Sequence, residues 1–195
     1  MRTLKTILIT IVLALLAGIA YVYSGFHDVS ATTRHNRFAS WGLSMTVDKS
    51  VARRAKEVAV PDLDDETLRL TGINDYEAMC VDCHGAPGKD AAAVGEGLNP
   101  SPPDLAHSAQ ELSAAELFWV TKHGIRMTGM PAWGRTHDDK DLWPVVAFMQ
   151  ALPKLDEKAY RSMLAKAEGL GHHPPQDDAG TDDHAHGDHD HSHDH

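Results

Sequence analysis

Both cysteines of this chain lie in one short run, Cys80-Val81-Asp82-Cys83-His84. Two cysteines cannot build the set of several disulfides that stabilises many small secreted domains. A structural zinc site uses four ligands, commonly from two such pairs, and the second pair is missing here. The two cysteines must therefore act together, within a single C-x-x-C-H motif.

The spacing of this run suits covalent attachment of a haem. Two thiols three positions apart on a helical turn can each add to one haem vinyl group, and the histidine that follows can bind the iron. A thioredoxin-like redox pair is the alternative, but it needs a strand before the motif, whereas a helical pattern precedes this one. We predict one haem c bonded to Cys80 and Cys83, with His84 as the proximal axial ligand.

An electron-transfer haem needs a sixth ligand on its iron, and a methionine thioether stabilises the ferrous state. Met127 and Met130 both lie downstream of the motif. Met130 precedes Pro131, whose ring stiffens the backbone at that point. We therefore predict Met130 as the distal axial ligand. The alternatives are Met127 and, if both methionines fill the core, His107 or His123.

Helical patterns surround the motif, and no run alternates convincingly as a strand. The predicted helices cover residues 64–80, 113–124, 138–152 and 155–167, and the Gly- and Pro-rich region 85–112 reads as loop. Ser113 and Glu116 form a capping box for the second of these helices. Proline is tolerated in the first turn of a helix, so Pro144 favours Asp141 as the N-cap of the third.

Residues 1–24 begin with two cations and continue with an apolar run of 17 residues from Ile7 to Tyr23. At ~1.5 Å per residue, a helix of this length measures about 26 Å, at the short end for crossing a bilayer. We predict a transmembrane anchor over residues 1–24. The alternative is a signal peptide that is cleaved after Ala20.

Residues 25–60 are predicted to be a linker that contains a helix. Phe38, Trp41, Met45 and Val51 could form the apolar side of an amphipathic helix that lies on a membrane surface. The alternative is a spacer helix that packs on the following domain. The sequence leaves these two interpretations open.

The compact domain is predicted over residues 61–169, and its charge limits what it binds. Residues 61–168 carry eighteen Asp and Glu against ten Lys and Arg. Nucleic-acid binding requires a basic face, so we expect no nucleic-acid partner.

Residues 170–195 form a tail in which histidine and aspartate are interleaved. Residues 172–195 lack the large apolar side chains that folding requires, so we predict that the tail is disordered. Closely spaced imidazoles can bind copper, zinc or nickel, and a solvated tail with incidental metal affinity is the alternative. The candidate ligands are His184, His186, His189, His191, His193 and His195.

Residues 65–152 resemble a class I cytochrome c. In that family a glycine lies eight residues, and an aromatic side chain four residues, before the first haem cysteine, and Gly72 and Tyr76 occupy these positions. Residues 129–133 (Gly-Met-Pro-Ala-Trp) are similar to the family's axial-methionine loop. Residues 102–105 (Pro-Pro-Asp-Leu) resemble the segment that lies against the haem on its histidine side.

The resemblance implies an all-α fold, in which a cytochrome c-like haem domain follows the transmembrane helix and the linker helix. In this family the last helix packs across the first. Val145 and Phe148 fit the apolar positions of that contact, and Gly72 would let the two backbones approach closely.

The resemblance also implies the function. Class I cytochromes c transfer electrons, and their haem is attached outside the bacterial cytoplasmic membrane. It therefore implies an electron carrier of a membrane respiratory chain, with redox proteins as donor and acceptor. The chain would cross the bacterial inner membrane once and place its haem domain in the periplasm.

No acid–base pair in the sequence suggests catalysis, so we expect neither an enzyme nor a small-molecule substrate. Two alternatives remain. One is an enzyme with an open haem site, and the other is a periplasmic protein that handles copper, zinc or nickel with the help of a redox-active haem.

Overall fold

The computed structural model describes residues 2–171, so the candidate metal ligands of the tail lie outside the described residues. The helices are α1 (Arg2–Tyr23), α2 (Arg37–Arg54), α3 (Glu66–Met79), α4 (Val81–His84), α5 (Ala93–Glu96), α6 (Leu105–Glu111), α7 (Ala114–His123), α8 (Asp139–Ala151) and α9 (Glu157–Lys166). Short 3₁₀ turns occupy Ala55–Glu57, Trp133–Arg135 and Leu152–Lys154. The described part of the chain contains no strand, and the predicted all-α fold is confirmed.

The centre of the domain is the crossing of α3 and α8. A Cβ placed on Gly72 would lie 1.9 Å from the carbonyl oxygen of Pro144 and 3.0 Å from the Cβ of Phe148. Only a residue without a side chain lets the two backbones come this close. The predicted contact between the first and last helices of the family is therefore confirmed at Gly72.

An apolar core is built around this crossing. Ile73 and Phe148 are completely buried, and the rings of Tyr76 and Phe148 lie 5.0 Å apart at a tilt of 60°. Burying one such side chain contributes roughly 1.5–3 kcal/mol. The core joins α3 and α8 to Leu117 and Phe118 of α7.

Helix α9 is fastened to α3 by polar contacts as well as by packing. The Tyr160 hydroxyl donates to a Glu77 carboxylate oxygen at 2.6 Å. The Asn74 side-chain amide donates to the carbonyl oxygens of Ala167 at 2.5 Å and Leu170 at 2.6 Å. These contacts tie the end of the described chain to the helix that leads into the cysteine motif.

The predicted N-cap of α8 is wrong. Asp138, not Asp141, caps the helix, and the two residues form a capping box in which the Asp138 N–H donates to the Asp141 carboxylate at 3.1 Å. Pro144 therefore lies inside the helix, where it is buried at the crossing with α3. A proline inside a helix removes one backbone hydrogen bond. The helix tolerates this loss because the N-terminal cap and the buried crossing with α3 stabilise it.

The prediction of a continuous loop over residues 85–112 is also wrong in part, since α5 and α6 lie within it. Helix α6 begins where the Asp104 side chain accepts a hydrogen bond from the Ala106 N–H at 2.8 Å. Leu105 and Ala109 of this helix pack against the core. Helices this short depend on a cap and on tertiary contacts. They are too short to show a periodic hydrophobic pattern in the sequence.

Helix α1 is long and apolar enough to cross a membrane, by length and composition. Helix α2 contacts α7 through its second half, where Val51 is buried and the Arg54 guanidinium lies 6.0 Å from the centre of the Trp119 ring. The second half of α2 therefore packs on the domain, as the interpretation of this segment as a spacer helix predicts.

Candidate haem site

The cysteine motif forms a single helical turn at the end of α3. The His84 N–H donates to the Cys80 carbonyl oxygen at 2.9 Å, and the Gly85 N–H donates to that of Val81 at 2.8 Å. Positions three and four apart share one side of a helix, so this turn directs Cys83 and His84 to the side of Cys80. Cys80 is buried, Cys83 is partly exposed, and both thiols are free.

One hydrogen bond fixes the imidazole of His84. Its Nδ1 lies 2.8 Å from the carbonyl oxygen of Pro103. A carbonyl oxygen can only accept, so Nδ1 carries the proton and the lone pair is left on Nε2. Burial lowers the pKa of His84, although the bond to Pro103 opposes this shift. The net lowering of the pKa favours the neutral imidazole, the form that binds iron, and the bond to Pro103 fixes the orientation of the ring.

The motif turn is braced by its neighbours on two further sides. The Tyr76 hydroxyl donates to the Gly85 carbonyl oxygen at 2.8 Å, which gives the aromatic residue of the family pattern a polar role. Helix α5 lies against the turn at Gly95, where a Cβ would be 2.7 Å from the Cys83 carbonyl oxygen. Gly95 was not predicted from the sequence, where only the abundance of glycine in this region points to a close contact.

Thiol–disulfide exchange, the alternative role for the two cysteines, does not suit this site. Burial, with a smaller contribution from Cys83, raises the pKa of the Cys80 thiol to about 12. Redox-active cysteines have a lowered pKa instead, because the thiolate is the reacting species. Within residues 2–171, no three or more His, Cys, Asp or Glu side chains lie together in a group that could hold a metal ion.

The loop between α7 and the Trp133–Arg135 turn separates the two candidate methionines by exposure. Met127 is 90% exposed and has a positive φ of 64°. Met130 is partly buried, and its N–H donates to the Thr128 hydroxyl at 3.1 Å. Of the two side chains, that of Met130 is therefore the less exposed.

Two glycines hold the backbone around Met130. A Cβ on Gly124 would lie 2.6 Å from the Met130 carbonyl oxygen, and a Cβ on Gly129 would lie 2.6 Å from the Leu98 side chain. Gly124 also has a positive φ of 62°, which a glycine adopts without strain. The sequence had indicated Gly129, whereas the tight contact at Gly124 depends on the fold.

The two alternative histidine ligands lie on the surface. His107, on α6, is exposed and has its Nε2 3.4 Å from a Glu111 carboxylate oxygen. His123 ends α7, is exposed, and lies with its ring centre 4.8 Å from that of Trp119.

The donor set of this site fits a covalently attached haem. The C-x-x-C-H turn offers two free thiols, and His84 offers a free Nε2 that is held in place by Pro103. A partly buried methionine lies in the loop after α7. These are the groups needed for two thioether bonds and two axial ligands.

Comparison with known families agrees with this reading. Residues 70–149 match the family described as cytochrome c oxidase, cbb3-type, subunit III. The matched stretch includes the cysteine motif, the Met130 loop and most of α8, and it covers less than half of the chain. No curated protein matches the chain.

Proposed function

We propose that this protein is a single-haem electron carrier of a bacterial respiratory chain. The match of residues 70–149 to a c-type cytochrome family supports a covalently bound haem c and a haem electron-transfer role. The observation that most supports the proposal is the hydrogen bond from His84 Nδ1 to the Pro103 carbonyl oxygen. It holds the imidazole beside the two cysteines with Nε2 available, in the orientation that an axial ligand needs.

We assign Cys80 and Cys83 to the thioether bonds, His84 to the proximal position and Met130 to the distal position. The single helical turn of the motif supports the first three assignments. The partial burial of Met130 and the 90% exposure of Met127 support the fourth.

When bound, a haem supplies a one-electron iron couple to such a site. The protein's part is to hold both ligands still. The bond to Pro103 restrains His84, and the tight contacts at Gly124 restrain the backbone of Met130. Ligands that are fixed in advance need little rearrangement when the charge on the metal changes, which favours fast electron exchange.

We propose a bacterial inner-membrane location with the haem domain in the periplasm. Helix α1 supports the single-pass anchor by its length and composition. Attachment of haem c outside the cytoplasm, as the resemblance implies, supports the orientation. The proposed donor and acceptor are redox proteins of the same membrane, and the description of the matched family makes an oxidase complex a reasonable acceptor.

Carbon monoxide binding to the reduced holoprotein tests this proposal. We expect the native protein not to bind carbon monoxide, because Met130 occupies the sixth position, and we expect Met130→Ala to bind it. Met127→Ala is the matched control, since this exposed side chain in the same loop should have no effect. The measurement is the visible absorption spectrum during titration.

A native protein that binds carbon monoxide readily would instead indicate an open haem site and an enzymatic role. Binding by Met127→Ala but not by Met130→Ala would exchange the roles of the two methionines.

The histidines of the tail support a second proposal, that the protein also binds copper, zinc or nickel in the periplasm. We expect deletion of residues 172–195 to abolish binding of these ions and to leave the haem spectrum unchanged. Isothermal titration of the two holoproteins with copper checks this expectation. Equal copper binding by both proteins would contradict it.

A further inference from the structure

The first half of α2 has an exposed apolar face that the domain does not cover. Phe38, Trp41 and Met45 are 87%, 66% and 42% exposed, and their spacing places them on one side of the helix. Val51 and Ala55, one helical turn and more further on, are buried against the domain. A single helix is therefore docked at one end and bare at the other.

The segment before α2 is fastened to the haem domain and is not a loose tether. The Asn99 side-chain amide donates to the carbonyl oxygens of Ala31 and Thr33, each at 2.9 Å. The Asp28 carboxylate accepts from the Ser30 N–H at 2.9 Å and from the Thr33 hydroxyl at 2.5 Å, which folds the segment on itself.

The hydrogen bonds of Asn99 to the linker lie close to the proposed axial-ligand loop. Asn99 directly follows Leu98, whose side chain contacts Gly129, and Gly129 precedes Met130. The linker is thus attached to the domain twice, at Asn99 and along the contact between α2 and α7.

We propose that the face formed by Phe38, Trp41 and Met45 lies on the surface of the bilayer that α1 enters. This inference rests on the proposed membrane anchor. It implies that the haem domain is held down on the membrane in one orientation, so that it exchanges electrons with partners in the plane of that membrane.

Continuity with the anchor supports a lipid surface as the occupant of this face. Helix α1 ends at Tyr23 and α2 begins at Arg37, and Phe26 and Val29 between them are 87% and 90% exposed. Tryptophan and tyrosine are enriched where a membrane meets water. Exposed apolar and aromatic side chains thus continue from the end of α1, through the linker, into the first half of α2.

The charge of the linker points to the same occupant. Residues 24–60 contain six Lys and Arg against three Asp and Glu, whereas residues 61–168 are acidic. Basic segments next to a membrane anchor are attracted to anionic headgroups, and aromatic side chains on the same helix insert at the interface.

The test uses the full-length holoprotein in lipid nanodiscs that contain anionic lipid. The native cysteines are taken up by the haem, so a single introduced cysteine can carry a spin label. The labelled variants are Leu13→Cys in α1, Phe38→Cys and Trp41→Cys on the apolar face, and Ser40→Cys. Ser40 is exposed and lies two positions after Phe38, on the other side of α2.

We expect collisions with oxygen to exceed those with a water-soluble nickel chelate at Leu13, Phe38 and Trp41. At Ser40 the nickel chelate should dominate, with an oxygen-to-nickel ratio several-fold lower. Two positions on the apolar face keep the test valid if one variant fails to mature.

The outcomes separate this inference from the anchor. Lipid-like behaviour at Leu13, with Phe38 and Trp41 resembling Ser40, would overturn the inference and leave the anchor intact. Protection of Phe38 and Trp41 from both reagents would mean that a protein surface covers the face, which also overturns it. A water-exposed Leu13 would overturn the anchor and the inference together.

Discussion

Replacement of both Cys80 and Cys83 with serine is expected to leave the polypeptide with no covalently bound haem. The two thiols lie on one helical turn and are the only cysteines of the chain, so no other side chain can form a thioether bond. Extraction of the denatured protein with acidified acetone should remove all colour from the variant and none from the native protein. The native protein must be made in cells that attach haem c.

Matched variants sharpen this test. Asp82→Asn changes the exposed residue between the two cysteines and should leave attachment complete. Cys80→Ser and Cys83→Ser should each retain one thioether bond at most, which the mass of the intact protein reports together with the spectrum. A double variant that kept its haem through denaturation would contradict the assignment of the site.

Replacement of Gly72 with alanine is expected to lower the free energy of unfolding by about 3 kcal/mol, the upper range for overpacking a core. The added Cβ would lie 1.9 Å from the carbonyl oxygen and 2.4 Å from the carbonyl carbon of Pro144. These are backbone atoms of a buried helix, so they cannot rotate away, and the two helices must separate. The gain of up to ~1 kcal/mol in helix propensity does not offset this.

Gly42→Ala is the control for this prediction, because Gly42 lies in α2 and has no other atom within 4 Å of a built Cβ. We expect this variant to be as stable as the native protein or slightly more stable. Guanidinium unfolding of the holoproteins, followed by far-ultraviolet circular dichroism, compares the two. Equal stability of both variants would mean that α3 and α8 cross at a larger distance than the structure describes.

Much of the fold was predictable because its signals are local. The Ser113 and Glu116 capping box that was read from the sequence forms as predicted. The close approach at Gly72 was also anticipated, although through the family resemblance, because a single glycine does not reveal which helix it contacts. The cap of α8 was not predictable, because the burial that keeps Pro144 inside the helix is supplied by a helix far away in the chain.

In the candidate site, too, some features could be predicted from the sequence and others depend on the tertiary structure. The sequence by itself determined that Cys80, Cys83 and His84 share one helical turn, because spacing alone sets the geometry within a turn, and this was enough to predict haem attachment. Only the tertiary structure decided that the Pro103 carbonyl orients His84, and that Met127 is exposed while Met130 is partly buried.

The same holds for the linker. The spacing of its apolar residues could be recognised in the sequence, but the packing of one half of α2 on α7 could not. Spacing within a turn is fixed by backbone geometry. Burial and long-range hydrogen bonds depend instead on which distant segments the folded chain brings together.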